Sequence, residues 1–149
     1  MVTFERAVLG RTGLDVGRLG LAASYGVPTT SVEQAVDRGV NYLFWGSLRR
    51  EAYAQALRNL RPQRDKLVLV VQSYTRLAGL MAWSLERALR KLGYDYADIL
   101  LLGNWSRLPP QRILDAARKL KDRGLARFLA GSTHNRPLVS RLRAEAGLD

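Results

Sequence analysis

The chain has 149 residues, a size that suits one domain around one buried core, and an apolar content of 47% that excludes a disordered chain. With no Cys and a single His it offers no disulfide, no thiolate nucleophile and no cluster of metal ligands, so no metal is expected. The formal charge of +11 comes from arginines scattered over several segments. There is no block of like charge and no basic strand interleaved with aromatics, so nucleic acid is not the expected partner.

No apolar run nears the ~20 residues that span a bilayer, and the amino terminus lacks a signal-peptide core. A cytoplasmic protein without a membrane partner is expected. Residues 4–8 and 14–16 flank the turn Gly10-Arg11-Thr12-Gly13 and predict a hairpin over about residues 4–16. No helix follows these glycines directly and no Lys-Ser/Thr pair accompanies them, so they form a turn rather than a phosphate loop. Residues 19–24 read as the first core strand. Ser31 with Gln34 three residues later predicts a capping box into a helix closed by Gly39.

The alternation then continues. Strands are predicted at residues 41–45, 67–71, 99–102 and 126–130, with helices at 49–60, 77–92, from about Pro110 to Lys121, and 137–146. Strands separated by helical crossovers at this spacing predict an α/β protein with a parallel sheet in a single domain, residues 1–149. The clearest segment is 84–105. Leu85, Ala88, Leu89 and Leu92 recur at three and four residues, Gly93 ends the helix, and Ile99 to Leu102 is a strand apolar enough to be buried on both faces. Chemistry in such folds sits at the carboxyl ends of strands. Here that end carries Gly103, Asn104 and Trp105, none of them an ordinary acid, base or nucleophile.

Leu9-Gly10-Arg11-Thr12-Gly13-Leu14, Leu19-Gly20-Leu21, Gly39-Val40-Asn41-Tyr42, residues 84–102, and Gly124-Leu125-Ala126-Arg127 with Ser132 occur in one collinear order. In this order they resemble the aldo-keto reductase family, from its hairpin to its fifth strand. The resemblance implies a (β/α)8 TIM-barrel type, here as a partial barrel of about five repeats. It also implies NADPH bound at the carboxyl face and hydride transfer to aldehydes or ketones. The family's reaction uses an Asp, a Tyr, a Lys and a His. By position, Phe44 replaces the Asp, Gln72 the Lys and Gly103 the His, while the Tyr falls where this chain has Arg49 in a shortened loop. Tyr53 fits a core position of the second helix. Ser132 matches the family's contact to the nicotinamide amide, and Thr133 replaces the adjoining Asn.

Loss of a general acid typically costs 10²–10⁴-fold, so absent or much reduced NADPH-dependent carbonyl reduction is the expectation, and whether the chain is an enzyme stays open. A divergent NAD(P)-dependent oxidoreductase active as a complete barrel and a ligand-binding or interaction pseudoenzyme both stay open. Phe44, Trp45, Tyr74, Asn104, Trp105, His134 and Asn135 are expected near one face, as a pocket for a flat ligand or as a packed plug. His134 reads as a loop hydrogen-bonder, with a general-base role as the alternative. A complete barrel takes about 250 residues, so most of the cofactor-binding half is expected to be missing. Two sheet edges, at the first and fifth strands, are expected to be unpaired unless a second copy or a carboxyl-terminal half covers them. Gly147-Leu148-Asp149 offers no evident helix-capping finish, which favours a fragment.

Overall fold

Continuous apolar strands are stable only with cover on both faces, and the helices that follow them supply it on one side. The computed structural model describes residues 5–46 and 49–149. Phe4, at the start of the expected hairpin, lies outside these, as does part of the loop expected to be shortened before Arg49. Strands β1 (Arg6–Val8) and β2 (Asp15–Gly17) pair antiparallel. Strands β3 (Gly20–Ala22), β4 (Tyr42–Trp45), β5 (Val68–Ser73), β6 (Ala97–Leu102) and β7 (Ala126–Gly131) form one five-stranded parallel sheet in chain order. Helices α1 (Thr29–Asp37), α2 (Glu51–Asn59), α3 (Ala78–Leu92), α4 (Gln111–Asp122) and α5 (Arg136–Ala144) alternate with them. Sequential parallel strands with helical crossovers are the winding of a βα-barrel wall, so the expected fold class is borne out.

The pleat divides the core. Leu43, Trp45, Leu69, Val71, Leu100, Leu102 and Leu129 pack under the helices. Val68, Val70 and Ile99 face the other way and are joined by Leu14 and Val16 of the hairpin. The hairpin is fastened there by buried Asn41, whose amide donates to the Asp15 carbonyl at 3.0 Å and accepts the Gly17 N–H at 2.9 Å. Arg11, in the hairpin turn, donates to the Leu148 carbonyl at 2.7 Å, so the hairpin turn reaches the carboxyl tail.

One expectation is corrected at the first helix. Ser31 does not cap α1: Pro28, at φ −63°, stands at the cap and the helix begins with Thr29, which puts Ser31 inside the first turn. A proline preset to that φ starts a helix without a side-chain cap. At the carboxyl end α5 passes into Glu145 at φ −102°, and Gly147, two residues on, takes a left-handed φ of +63°. The β7 edge is met by the carboxyl tail at one residue, Leu129, and is otherwise the last strand of the sheet. Asp149 donates its N–H to the Leu129 carbonyl and accepts the Leu129 N–H on its carboxylate, both at 2.9 Å.

One buried charge ties the strands together. The Asp98 side chain, 1% exposed, accepts the Leu69 N–H at 2.8 Å and pairs with Arg64 at 2.8 Å and Arg127 at 2.9 Å. Arg64 also lies over the Tyr96 ring at 4.1 Å. Tyr94, which donates to the Leu57 carbonyl, has its pKa pushed up to about 12 by burial and stays a donor. Removing one partner of a buried pair typically costs ~3–5 kcal/mol. Asp98→Asn is therefore expected to lower stability by about 3 kcal/mol in urea unfolding, whereas Arg127→Gln, on a half-exposed side chain, costs under about 1 kcal/mol.

Candidate functional site

At the carboxyl ends of the strands, β4 ends with Phe44 and Trp45, β5 with Gln72 and Ser73, and β6 runs into Gly103. The ladder pairs Gln72 with Leu101 and Ser73 with Leu102, and the Gly103 N–H reaches the Ser73 carbonyl at 3.0 Å. This register lays the Gln72 side chain across Gly103. A Cβ at Gly103 would come within 2.0 Å of Gln72 Nε2 and 3.0 Å of its Cγ. Phe44 covers Gly46 in the same way, since a Cβ there would meet its Cε1 at 2.7 Å and Gln72 Oε1 at 3.5 Å. Phe44, Gly46, Gln72 and Gly103 are thus one packed group without an ionisable side chain.

The expected single pocket is instead two. Trp45, Gln72 and Tyr74 line a cavity of about 290 Å³ with Gly46, Arg49, Ser84 and Ala88, between the β4 and β5 ends and α3. Asn104, Trp105, His134 and Asn135 line another of about 310 Å³ with Ser106. Trp45 is a core residue as much as a wall: it is 2% exposed, with its ring centroid 6.2 Å from that of Tyr53. Tyr53 is buried, donates to the Leu21 carbonyl at 2.7 Å and has its pKa raised by burial, so it cannot serve as a proton donor at this face. The largest cavity, about 480 Å³, lies at the opposite end under the hairpin. Arg6 and Arg127 on its wall are already paired with Asp15 and Asp98.

Nothing in the sequence pattern singles out Arg76. The Arg76 guanidinium donates to the Gly103 and Asn104 carbonyls at 3.0 and 2.8 Å and lies 4.0 Å from the Trp105 ring centroid. It holds the loop after β6 in a conformation that places Asn104 at φ +52°, a region non-glycine residues other than Asn and Asp seldom occupy. An arginine in an irregular loop, 27 residues from its nearest acceptor, leaves no periodic mark that would have revealed this clamp.

The expected cofactor contacts lie apart from Gln72. Ser132 and Thr133 line a cavity of about 350 Å³ with Val139, Leu142, Arg143 and Leu148. The Ser132 hydroxyl accepts the Asn104 N–H at 3.0 Å, and the Thr133 hydroxyl accepts the Asn135 N–H at 2.9 Å. Each keeps one proton to donate, enough for a carboxamide oxygen. With uncharged Gln72 and Gly103 in the adjoining group, these residues do not compose a nicotinamide-nucleotide site by themselves. Among the described residues, no cluster of three His, Asp or Glu side chains could hold a metal ion.

No family model matches the sequence. The fold is that of solved aldo-keto reductases. The Bacillus halodurans aldo-keto reductase, in its holo form, aligns over 97% of this chain and 55% of its own, with TM-score 0.82 and 20% identity. The Brucella melitensis aldo-keto reductase aligns over 98% and 60%, with TM-score 0.77 and 20% identity. The Klebsiella pneumoniae enzyme in complex with NADP and acetate aligns over 78% and 46%, with TM-score 0.69 and 24% identity. The chain therefore spans about half the length of the structures it matches, and at these identities the likeness establishes the fold.

Because Gln72 fills the space beside Gly103, the two positions are coupled. Gly103→His is expected to cost about 1–3 kcal/mol by overpacking, and Gln72→Ala in the same chain to recover most of it. Thermal unfolding of the two single variants and the double variant checks this; additive effects would show that the side chains do not share the space.

Proposed function

We propose that this chain forms the first five repeats of an aldo-keto-reductase-type barrel that no longer reduces carbonyl compounds and works as a binding or interaction module. The observation that carries this is the packed group at the strand ends. Carbonyl reduction needs a proton delivered to a developing alkoxide and a cation that brings the donor's pKa down from its free value of about 10. Phe44 and Gln72 supply neither, and Gly103 has no side chain with which to polarise a carbonyl oxygen. Uncharged groups locked against each other stabilise the end of the sheet without lowering any barrier. Their mutual fit supports a settled replacement rather than one lost side chain.

The half-exposed concave face supports a partner on that side. Tyr42, Phe44, Leu101 and Phe128 lie on it without the full cover that their counterparts under the helices receive. Further strands, from this gene product or from a second copy, would bury them. The half of the cofactor site that the resemblance assigns to later repeats would then come from that partner.

A fluorescence titration with NADPH and a turnover assay with aldehyde and ketone probes test the proposal. Expected are no saturable change up to about millimolar nucleotide and no NADPH oxidation above background. Turnover within about a hundredfold of an ordinary enzyme rate of ~10 s⁻¹ would overturn it and favour a divergent oxidoreductase.

A further inference from the structure

An apolar ridge crosses the outside of the molecule at the β5–α3 junction. Tyr74, Leu77, Leu80 and Trp83 follow one another at intervals of three residues and are all about half exposed, Trp83 at 53%. Leu80 and Trp83 lie on the outer side of the first turns of α3, with the cap residue Leu77 before them and Tyr74 in the loop after β5, while Met81, Leu85, Ala88 and Leu89 turn into the core. Exposed aromatic and aliphatic side chains grouped in this way mark contact surfaces, because burying them within the chain would have stabilised the fold.

The charges around the ridge are mostly of one sign. Arg76 borders it from the loop, Arg87 lies 5.1 Å from the Trp83 ring centroid, and Arg90 follows one turn on. Arg49 shares a cavity with Tyr74 and Ser84. The nearby Glu86 is neutralised by Arg123 at 2.7 Å, and Lys91 by Glu51 at 2.7 Å. Arg76, Arg87 and Arg90 have no carboxylate partner among the described residues. The whole chain adds a formal charge of +11 behind them.

We propose that this surface seats the protein on an anionic lipid bilayer, with Leu77, Leu80 and Trp83 at the headgroup–acyl boundary and the Arg87 and Arg90 guanidinium groups on lipid phosphates. Three features select this occupant. The ridge is a convex helix surface, which meets a planar, deformable interface without needing a complementary groove. Its centre is aliphatic, so it makes a poor stacking platform for single-stranded nucleic acid, where successive aromatics would be required. Trp and Tyr flanked by arginines is the composition that settles at headgroup depth, where guanidinium groups are drawn to an anionic leaflet. Among the described residues no helix is long and apolar enough to cross a membrane. The association is therefore peripheral.

The tryptophans make the test direct. Of the three in the chain, Trp45 and Trp105 are 2% and 7% exposed, so a change in emission on binding reports Trp83. The full chain is mixed with phosphatidylcholine vesicles, with or without about 30 mol % phosphatidylglycerol, and followed by emission and by co-sedimentation. Expected are a blue shift and co-sedimentation with the anionic vesicles, both strongly reduced at about 0.5 M salt. Leu77→Gln with Leu80→Gln, which keeps Trp83 and alters only exposed positions, is expected to weaken partitioning roughly thirtyfold with unchanged circular dichroism. Arg87→Gln with Arg90→Gln is expected to weaken it about tenfold or more. Failure of the unaltered chain to sediment, equal binding to neutral vesicles, or undiminished binding by the leucine variant would each overturn the proposal.

Discussion

A single carboxylate sets the register on which the rest of the sheet depends. Asp98 is 1% exposed, and taking its charge out of water costs several kcal/mol unless every oxygen lone pair is used. Its partners come from β5 (the Leu69 N–H), from the turn before β5 (Arg64) and from β7 (Arg127). A slip of one residue in β6 would carry the carboxylate to the opposite face, away from all three. The pairings of Val70 with Ile99 and of Ile99 with Phe128 are therefore enforced from the amino-terminal end. The helix-side core inherits that alignment, since Leu69, Val71, Leu100, Leu102 and Leu129 share the face on which Asp98 is held.

That same register decides what happens at the opposite end. With Val70 opposite Ile99, Gln72 falls opposite Leu101, and its side chain reaches over the next residue of β6, which is Gly103. A side chain at 103 and a long one at 72 would compete for one volume, so the glycine and the glutamine make sense together. Arg76 then binds the carbonyls of Gly103 and Asn104, turning the loop after β6 into a fixed strap. Barrel folds concentrate chemistry at this end and stability at the other. Here the carboxyl end has acquired neutral packing and backbone clamps of its own.

The fold was largely legible in the sequence because its signals are local. A strand buried on both sides is an unbroken apolar run, as in residues 99–102, and a helix laid on a sheet shows its stripe at three and four residues, as in Leu85, Ala88, Leu89 and Leu92. What escaped depends on distance along the chain or on competing local chemistry. Asp98 stands out as a charge in an apolar run, but Arg64 and Arg127 lie 34 and 29 residues away among many other arginines. Ser31 and Gln34 have the right spacing for a cap, yet Pro28 began the helix earlier. Phe44, Gln72 and Gly103 could be placed at the strand ends from the sequence, whereas the contact of Gln72 with Gly103 required the register. Residues expected in one pocket divided into two because Trp45 turns under the helices while Trp105 is held by Arg76.

Exposed apolar surface on this molecule has two separate origins. On the concave side, Tyr42, Phe44, Leu101 and Phe128 are half-covered because alternate residues of a twisted sheet must point inward, and a barrel interior is closed only by strands on every side. Their exposure follows from the geometry of the sheet itself. The ridge of Tyr74, Leu77, Leu80 and Trp83 has no such cause, since it lies on the outer ring of helices, which further strands closing the barrel would leave in solvent. Polar residues there would satisfy the helix equally well and keep copies of the protein apart. Apolar side chains held in solvent at that site, beside Arg87 and Arg90, which have no carboxylate partner among the described residues, are what a surface shaped by binding rather than by folding would leave behind.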